Sequence, residues 1–196
     1  VGPSGSGKST ILRLIAGLLL PSNGSLQISG IQQEYLRLDQ NDPPDVRLVF
    51  QNPALLASLT VKENVGFLLE KQKIFSEEII HEKVIHCLQQ VGLYDVAEKF
   101  PNQLSGGMQK RVSFARALIS DSNTGKDSIP LLLYDEPTAG LDPIACTRIE
   151  DLIIKTTDVA EGSSIVVSHV SSTIERTANR VILLYDGKFQ WDGSID

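Results

Sequence analysis

The sequence predicts an α/β protein in which a mostly parallel sheet carries helices and an all-helical segment is inserted at about residues 53–110. Two continuous apolar runs, LLLYD (131–135) and SIVVS (164–168), are typical of parallel strands that are buried on both faces. Strand-like runs alternate with helical patterns elsewhere, which is typical of such a sheet. We therefore expect the sheet to be built from the residues on both sides of the insert.

The first fifty residues predict one helix and two strands. A helical pattern follows the glycine-rich opening segment, and proline, asparagine and glycine predict its end. Apolar and polar residues then alternate as in a short strand, before a polar segment and a second apolar run that ends at Gln51. The predicted elements are a helix at 11–19, a strand at 26–28, a loop at 31–45 and a buried strand at 47–50.

The remaining elements complete the predicted helical insert and the end of the sheet. One helix places Ile80, Val84, Leu88 and Val91 on one face and ends at Gly92. A second helix follows LSGG and runs through residues 108–119. Residues 120–130 read as a polar insertion, and VILLYDGKFQWDG (181–193) reads as two strands joined by an Asp-Gly turn.

Composition and charge exclude several classes of protein. The chain has 196 residues, of which 41% are hydrophobic and 21% charged, which is ordinary for a globular domain. No apolar run approaches the length needed to span a bilayer. The net charge of −6 disfavours a nucleic-acid surface. Cys87 and Cys146 show no metal-ligand spacing, so we expect both to be buried in a reduced environment.

The segment GPSGSGKS (2–9) matches the phosphate-loop pattern G-x-x-x-x-G-K-[ST] in full. Its glycines allow backbone N–H groups to point at phosphate oxygens, and the following helix adds its dipole. Lys8 should reach the β- and γ-phosphates, and Ser9 should bind Mg²⁺. The alternative, a plain glycine-rich turn, is disfavoured by the helix that follows. The residues predicted to surround the phosphates are Gly2, Pro3, Ser4, Gly5, Ser6, Gly7, Lys8, Ser9 and Thr10.

An acidic pair ends the predicted strand LLLYD. Asp135 can hold a metal ion through Ser9 or water, and Glu136 is placed to act on an attacking water. Taken alone, the pair could be a strand-end acidic turn before Pro137. Together with the phosphate loop, it predicts a site for nucleotide hydrolysis.

The segment LSGGMQKR (104–111) predicts a second anion site at a helix start. Ser105 can cap the helix, and Gly106 and Gly107 bring bare backbone close to an anion. The alternative is an ordinary N-capped helix. One nucleotide in the first loop would leave this second site idle, so two chains arranged head to tail would each complete the other's site.

These three motifs, in this order, resemble those of the ATP-binding cassette (ABC) ATPases over essentially the whole sequence. The resemblance implies a single ABC ATPase domain with a phosphate-loop NTPase fold. Its RecA-like core would comprise residues 1–52 and 111–196, and residues 53–110 would form the helical subdomain that carries the signature motif. The strand that normally leads into the loop would lie before Val1, so we expect an N-terminally truncated piece without its first strands and without its adenine-stacking residue.

The resemblance also implies residue roles, with ATP and Mg²⁺ as cofactors. Ser9, Gln51 and Asp135 would hold the metal ion, and Glu136, His169 and Gln51 would act in catalysis. Ser105, Gly106 and Gly107 would contact the nucleotide of a second copy. Asp142, in the segment AGLD (139–142), would lie at the seam between the copies and contribute to nucleotide binding. Val170 stands where many cassettes have aspartate, and we expect little consequence.

The implied partners are a membrane permease and a second ABC ATPase copy, with no nucleic acid. A soluble cassette that acts on DNA or ribosomes is the first alternative, but the insert is compact and the chain is acidic. A non-hydrolysing structural dimer is the second, and Glu136 and His169 argue against it. The two other histidines, His81 and His86, are expected at the surface of the insert.

A finer resemblance rests on LLYDEPTAGLDPI, LSGGM and SLTVKENVGFLL, which are similar to the Mla-type lipid-transport cassettes. The insertion before LLLYDEP, the ARAL helix and the ending GKFQWDG resemble the cyanobacterial and chloroplast branch, which includes the ATPase of the trigalactosyldiacylglycerol lipid importer. This implies a glycerolipid cargo such as phosphatidic acid, and a lipid-binding subunit. It also implies a peripheral position on a membrane, facing the chloroplast stroma or the cyanobacterial cytoplasm.

Overall fold

The computed structural model describes residues 1–41, 43–119 and 129–195. Most of the predicted polar insertion at 120–130 therefore lies outside the described residues. The chain divides into two compact units, which we call the sheet unit (1–48 and 129–195) and the helical unit (49–119). In chain order the helices and strands are α1 (Lys8–Ile15), β1 (Gln27–Ile28), β2 (Ile31–Gln32), β3 (Val46–Val49), α2 (Val61–Gln72), α3 (Glu77–Gln90), α4 (Gly106–Leu118), β4 (Leu131–Asp135), α5 (Pro143–Val159), β5 (Ser163–Val167), α6 (Ser171–Thr177), β6 (Arg180–Tyr185) and β7 (Lys188–Ser194). Two 3₁₀ turns span Arg37–Asp39 and Pro101–Gln103.

The predicted α/β class is confirmed by a sheet with the strand order β3-β4-β5. Strands β4 and β5 are parallel, with Asp135 opposite Val167. Leu12 of α1 packs with Leu133 and Val167 in the buried core of this unit. Because the carboxyl ends of parallel strands lie at one edge, the residues that follow β4 and β5 are brought together there.

Helix α1 ends earlier than predicted. The apolar pattern extends to Leu19, but the helix ends at Ile15 because Gly17 adopts a left-handed conformation with φ of 69°. The N–H groups of Gly17 and Leu18 donate to the carbonyls of Leu14 and Arg13 at 3.0 and 2.9 Å, which is the Schellman pattern that ends a helix. The leucines beyond it, at 18–20, are exposed.

Two further expectations in the sheet unit are wrong. Residues 31–45 are not all loop, because β2 pairs antiparallel with β1 and a 3₁₀ turn follows. Strand β5 is not buried on both faces, since Ser163 and Ile165 are exposed. Among the described strands, β5 ends the order β3-β4-β5 and has fewer neighbours than the central strand β4, in which residues 132–135 are buried.

Strands β6 and β7 form the hairpin predicted at the end of the chain. Its turn residues Asp186 and Gly187 have φ of 49° and 68°, as a two-residue type I′ turn requires. The N–H of Leu184 in β6 donates to the carbonyl of Val1 at 2.8 Å. The hairpin therefore holds the residue that directly precedes the glycine-rich loop.

The helical unit consists of α2, α3 and α4 packed on one another. Helix α2 starts with a capping box in which Thr60 and Glu63 satisfy each other's backbone N–H groups. The face of α3 predicted from the sequence is the buried one. The observed unit keeps all of α4, whereas the predicted boundary fell at residue 110, because α4 packs against both other helices.

The cysteines and histidines can be compared with expectation directly. Cys87 on α3 is buried as expected, whereas Cys146 on α5 is only partly buried. Neither cysteine forms a disulfide bond within the described residues. His81 and His86 are exposed on α3, as predicted.

Among the described residues, no helix combines the length and the apolar character needed to cross a bilayer.

Candidate nucleotide site

The glycine-rich loop leads into the uncapped N-terminus of α1. The N-cap is Gly7, with φ of 100°, and within the described part of the chain no side chain caps this end of the helix. The first backbone N–H groups of a helix have no partner within the helix, and together with the helix dipole they attract anions. Gly5 also adopts positive φ, at 79°, and the space above it is open. The loop therefore presents unpaired donors to a phosphate-sized anion.

The first glycine of the loop lies against the hairpin. A Cβ atom on Gly2 would lie 2.1 Å from the carbonyl oxygen of Leu184, and φ at Gly2 is 149°. That distance is too short for any side chain, so the position requires glycine. The start of the loop is thus fixed by backbone contact with β6.

Replacing Gly2 with Ala is expected to destabilise the sheet unit by about 1–3 kcal/mol, because the added methyl forces the loop or β6 to move. The melting temperature and the affinity for ATP should both fall. Gly24→Ala is the matched control, since Gly24 has φ of 85° but open space around its Cβ position. If both variants lost the same stability and neither lost ATP affinity, the contact with Leu184 would have no role in shaping the loop.

Lys8 lies at the junction of the loop and α1. Its ammonium donates to the carbonyl oxygens of Gly2 and Pro3, each at 2.9 Å. The hydroxyl of Ser6 is buried and has no hydrogen-bond partner among the described residues. A buried hydroxyl without a partner is costly, and a ligand oxygen in the loop would satisfy it. The loop residues therefore fit a bound phosphate group.

Ser9 and Asp135 bring the loop to the end of β4. The hydroxyl of Ser9 donates to Oδ1 of Asp135 at 2.9 Å, and Asp135 is 9% exposed. Hydroxyl and carboxylate oxygens are the ligand type that Mg²⁺ prefers, usually together with waters and substrate phosphates. Within the described residues, no group of three or more His, Cys, Asp or Glu side chains forms a separate metal site. The donor set thus fits Mg²⁺ bound with a nucleotide.

Glu136 and His169 form a second polar pair at the same edge of the sheet. Nδ1 of His169 lies 2.8 Å from Oε2 of Glu136, and the side chains are 64% and 12% exposed respectively. The N–H of Glu136 donates to the carbonyl of Val167 at 2.9 Å. Glu136 has φ of 47°, a conformation that costs a non-glycine residue about 1–3 kcal/mol and clusters at functional sites.

The other predicted residues are not members of these two pairs. Asp142 is the N-cap of α5, where its Oδ1 accepts from the N–H of Ala145 at 3.0 Å. In the helical unit, Ser105 is the N-cap of α4 and accepts from the N–H of Met108 at 3.3 Å. Gly106 and Gly107 have open space at their Cβ positions, and Gln51 is exposed after β3. The nucleotide roles of these residues stay predictions.

The loop, Asp135, Glu136 and His169 thus all belong to the sheet unit, and hydrogen bonds join them in two pairs. Sequence reasoning missed the contact between Gly2 and Leu184, because nothing in the hairpin pattern shows what it approaches. It also missed a buried network around Glu150. The sequence gives no signal for this network, because its polar residues would ordinarily be expected at the surface.

A phosphate loop that opens a helix, beside an acidic pair at the end of a central strand, defines the nucleotide-binding class of α/β domains. Within this class, the family described as ABC transporter matches residues 1–139. The chain belongs to the ABC transporter family.

The names of similar curated proteins point to different molecules. The chain is 48% identical over 203 residues to "Protein TRIGALACTOSYLDIACYLGLYCEROL 3, chloroplastic" of Arabidopsis thaliana, a match that covers 98% of this chain and 59% of the relative. It is 35% identical to the methionine import ATP-binding protein MetN of Lactobacillus johnsonii, covering all of this chain and 56% of that one. It is 34% identical to the thiamine import ATP-binding protein ThiQ of Shigella flexneri, covering all of this chain and 80% of that one. The chain therefore spans less than two thirds of the first two relatives.

Solved structures agree with the fold. The chain superposes on a dimeric post-hydrolysis state of the ATP-binding cassette MJ0796 bound to ADP and Pi, with a TM-score of 0.82 and 32% identity. That match covers all of this chain and 83% of the other. The cassette cbiO1 from Clostridium perfringens gives a TM-score of 0.81 at 27% identity and covers 99% of this chain and 75% of that one. The predicted phosphate-loop NTPase fold is confirmed.

Proposed function

We propose that the protein is the ATP-binding and ATP-hydrolysing subunit of an ABC transporter. The observation that carries the proposal is the Ser9–Asp135 hydrogen bond, which joins the phosphate loop to the acidic pair, together with the Glu136–His169 contact at the same edge of the sheet. Membership of the ABC transporter family supports it. The proposal therefore rests on site geometry and on family together.

The loop and Lys8 bind the phosphates. The N–H groups at the start of α1 and the Lys8 ammonium face the negative charge of the β- and γ-phosphates. Ser9, Asp135 and Gln51 are the residues that would hold Mg²⁺. The ion, when bound, supplies positive charge that neutralises the phosphate oxygens.

Glu136 is the residue proposed to orient the attacking water and to accept a proton from it. His169 holds the Glu136 carboxylate in place. The transition state of phosphoryl transfer is loose, so positioning and charge stabilisation supply most of the catalysis. Glu136 has a left-handed backbone, a strained conformation that clusters at functional sites, which supports a role in the site.

A second copy of the chain is the proposed partner for the signature segment. Ser105 and Gly106 are exposed at the start of α4, and their neighbour Gly107 is partly exposed. Their backbone can approach the γ-phosphate bound by another copy, with Asp142 near the seam. The dimeric state of the similar cassette bound to ADP and Pi supports this arrangement.

For the cargo, we propose a glycerolipid such as phosphatidic acid, moved by a membrane permease with a lipid-binding subunit. The name of the 48% identical relative contains a glycerolipid and the word chloroplastic, which supports this cargo and a chloroplast membrane. The protein would then lie at the membrane surface facing the stroma, or the cytoplasm in a cyanobacterium. The alternative is a different cargo, since other relatives are named for methionine and thiamine import.

The cargo is tested by purifying the full-length protein with its membrane partners and reconstituting them in vesicles. Mg²⁺-dependent ATP hydrolysis should rise when phosphatidic acid is added to phosphatidylcholine vesicles and should not rise with methionine or thiamine. Stimulation by methionine or thiamine alone would overturn the lipid proposal. An absence of ATP hydrolysis in every vesicle would overturn the ATPase proposal itself.

A further inference from the structure

A buried hydrogen-bonded network lies in the sheet unit, apart from the Glu136–His169 contact. Its centre is Glu150 on α5, which is 1% exposed. One of its carboxylate oxygens accepts from the hydroxyls of Thr173 at 2.8 Å and Ser172 at 3.0 Å, and the other lies 3.0 Å from Nε of Arg176. A single buried carboxylate therefore holds three side chains of α6.

The network continues from α6 to the turn after β4. The hydroxyl oxygens of Thr173 and Thr138 lie 2.9 Å apart, and these residues are 0% and 2% exposed. An ionised carboxylate only accepts hydrogen bonds, so the single hydroxyl proton of Thr173 is committed to Glu150. Thr138 must then donate to Thr173. The hydrogen bonds run in one direction, from the turn after β4 to the carboxylate.

This network joins the segment after β4 to the segment after β5, and the same two segments carry Glu136 and His169. Thr138 lies two residues after Glu136, and Thr173 lies four residues after His169. The Glu136–His169 contact is open to water, since the His169 side chain is 64% exposed. The Thr138–Thr173 contact is buried, where water does not compete and a hydrogen bond holds its partners more firmly.

A carboxylate is an expensive way to fill a core position. Burying a charge costs free energy, and apolar side chains of similar volume often give equal or greater stability. A buried ionic group that is fully hydrogen-bonded can instead fix one arrangement of its neighbours. The arrangement fixed here is that of the turn after Glu136 against the helix after His169.

We propose that Thr138, Thr173 and Glu150 are positioning residues that set His169 against Glu136 and thereby control kcat. The proposal rests on the proposed ATPase function. Within the described residues, no hydrogen bond joins these three side chains to the phosphate loop. Their loss should therefore change the rate of the chemical step more than the binding of ATP.

The test compares three variants of the full-length protein. Thr173→Val removes the linking hydroxyl at nearly constant volume, and Thr173→Ser restores it. Thr156→Val is the matched control, because Thr156 is 2% exposed and its hydroxyl lies 2.6 Å from the hydroxyl of Tyr134. That control removes a buried hydrogen bond of the same kind, between α5 and β4, while leaving α6 untouched.

Misplacement of a catalytic group by about 1 Å can lower the rate about a hundredfold. Thr173→Val should loosen the position of His169 only in part, so we expect kcat to fall about tenfold. The KM for ATP and the rise in melting temperature caused by ATP should stay as in the wild type. Thr173→Ser should recover most of kcat, and Thr156→Val should keep it. An equal loss of kcat in Thr156→Val, or no recovery in Thr173→Ser, would overturn the proposal.

A second measurement separates this proposal from the ATPase function. The chain has only three histidines, so the NMR signal of the His169 ring can be assigned by its loss in His169→Gln. We expect Thr173→Val to shift that signal and Thr156→Val to leave it in place. If the wild type hydrolysed no ATP, the proposed function would fail and the NMR signal alone would decide. An unchanged signal in Thr173→Val would show that the network does not position His169.

Discussion

Replacing Lys8 with Ala is expected to abolish tight ATP binding. The Lys8 ammonium already lies against the first two carbonyls of the loop, and it is the charged side chain of the loop itself. A hydrogen bond to a charged group contributes about 1.5–3 kcal/mol, so its loss should weaken binding by about tenfold to more than a hundredfold. Isothermal titration calorimetry with ATP and Mg²⁺ measures this directly.

Lys188→Ala is the control for Lys8→Ala. Lys188 is an exposed lysine in the β6–β7 hairpin, paired across the turn with Tyr185. Its removal takes the same charge from the chain without touching the loop. Unchanged ATP affinity in Lys8→Ala, or an equal loss in Lys188→Ala, would remove the basis for the phosphate site.

Glu136→Gln is expected to slow ATP hydrolysis by about 10²–10⁴-fold, the range that general-base catalysis contributes. The amide keeps the shape of the side chain but cannot take a proton from water. ATP should still bind, because Lys8, Ser9 and Asp135 are unchanged, and a dimer that holds unhydrolysed ATP should accumulate. Single-turnover hydrolysis and size-exclusion chromatography with ATP measure the two effects.

Glu161→Gln is the matched control for that variant. Glu161 has φ of 49°, close to the 47° of Glu136, but it is exposed in the turn between α5 and β5. A normal rate in Glu136→Gln would show that another group activates the water. A loss of rate in Glu161→Gln would point instead to a general effect of removing a carboxylate from a left-handed position.

The sequence predicts local structure well where a motif occupies a few consecutive residues. Three features each depend on a few consecutive residues that require a particular backbone conformation: the phosphate loop, the acidic pair and the capped start of α4. Folding then brings Ser9 to Asp135 and Glu136 to His169, residues that are 126 and 33 positions apart. Parallel pairing of β4 with β5 is enough to explain the second contact.

Features that depend on tertiary packing were harder to predict. The apolar pattern after Ile15 continued past the true helix end, since one left-handed glycine outweighed three leucines that stay exposed. The burial of Glu150 could not be foreseen, because a glutamate on a helix is usually solvated. The structure shows that Thr173 and Arg176 contact its carboxylate and that Thr138 contacts Thr173.

Two copies of the chain are proposed to share each ATP site, with the loop from one copy and the signature segment from the other. The most direct test mixes Lys8→Ala protein, defective in the loop, with Ser105→Arg protein, defective in the signature segment. In a head-to-tail dimer of the two variants, one site carries both defects and the other carries none. We predict that the mixture hydrolyses ATP although neither variant does so alone. A mixture as inactive as its components, beside an active wild type, would contradict the shared site.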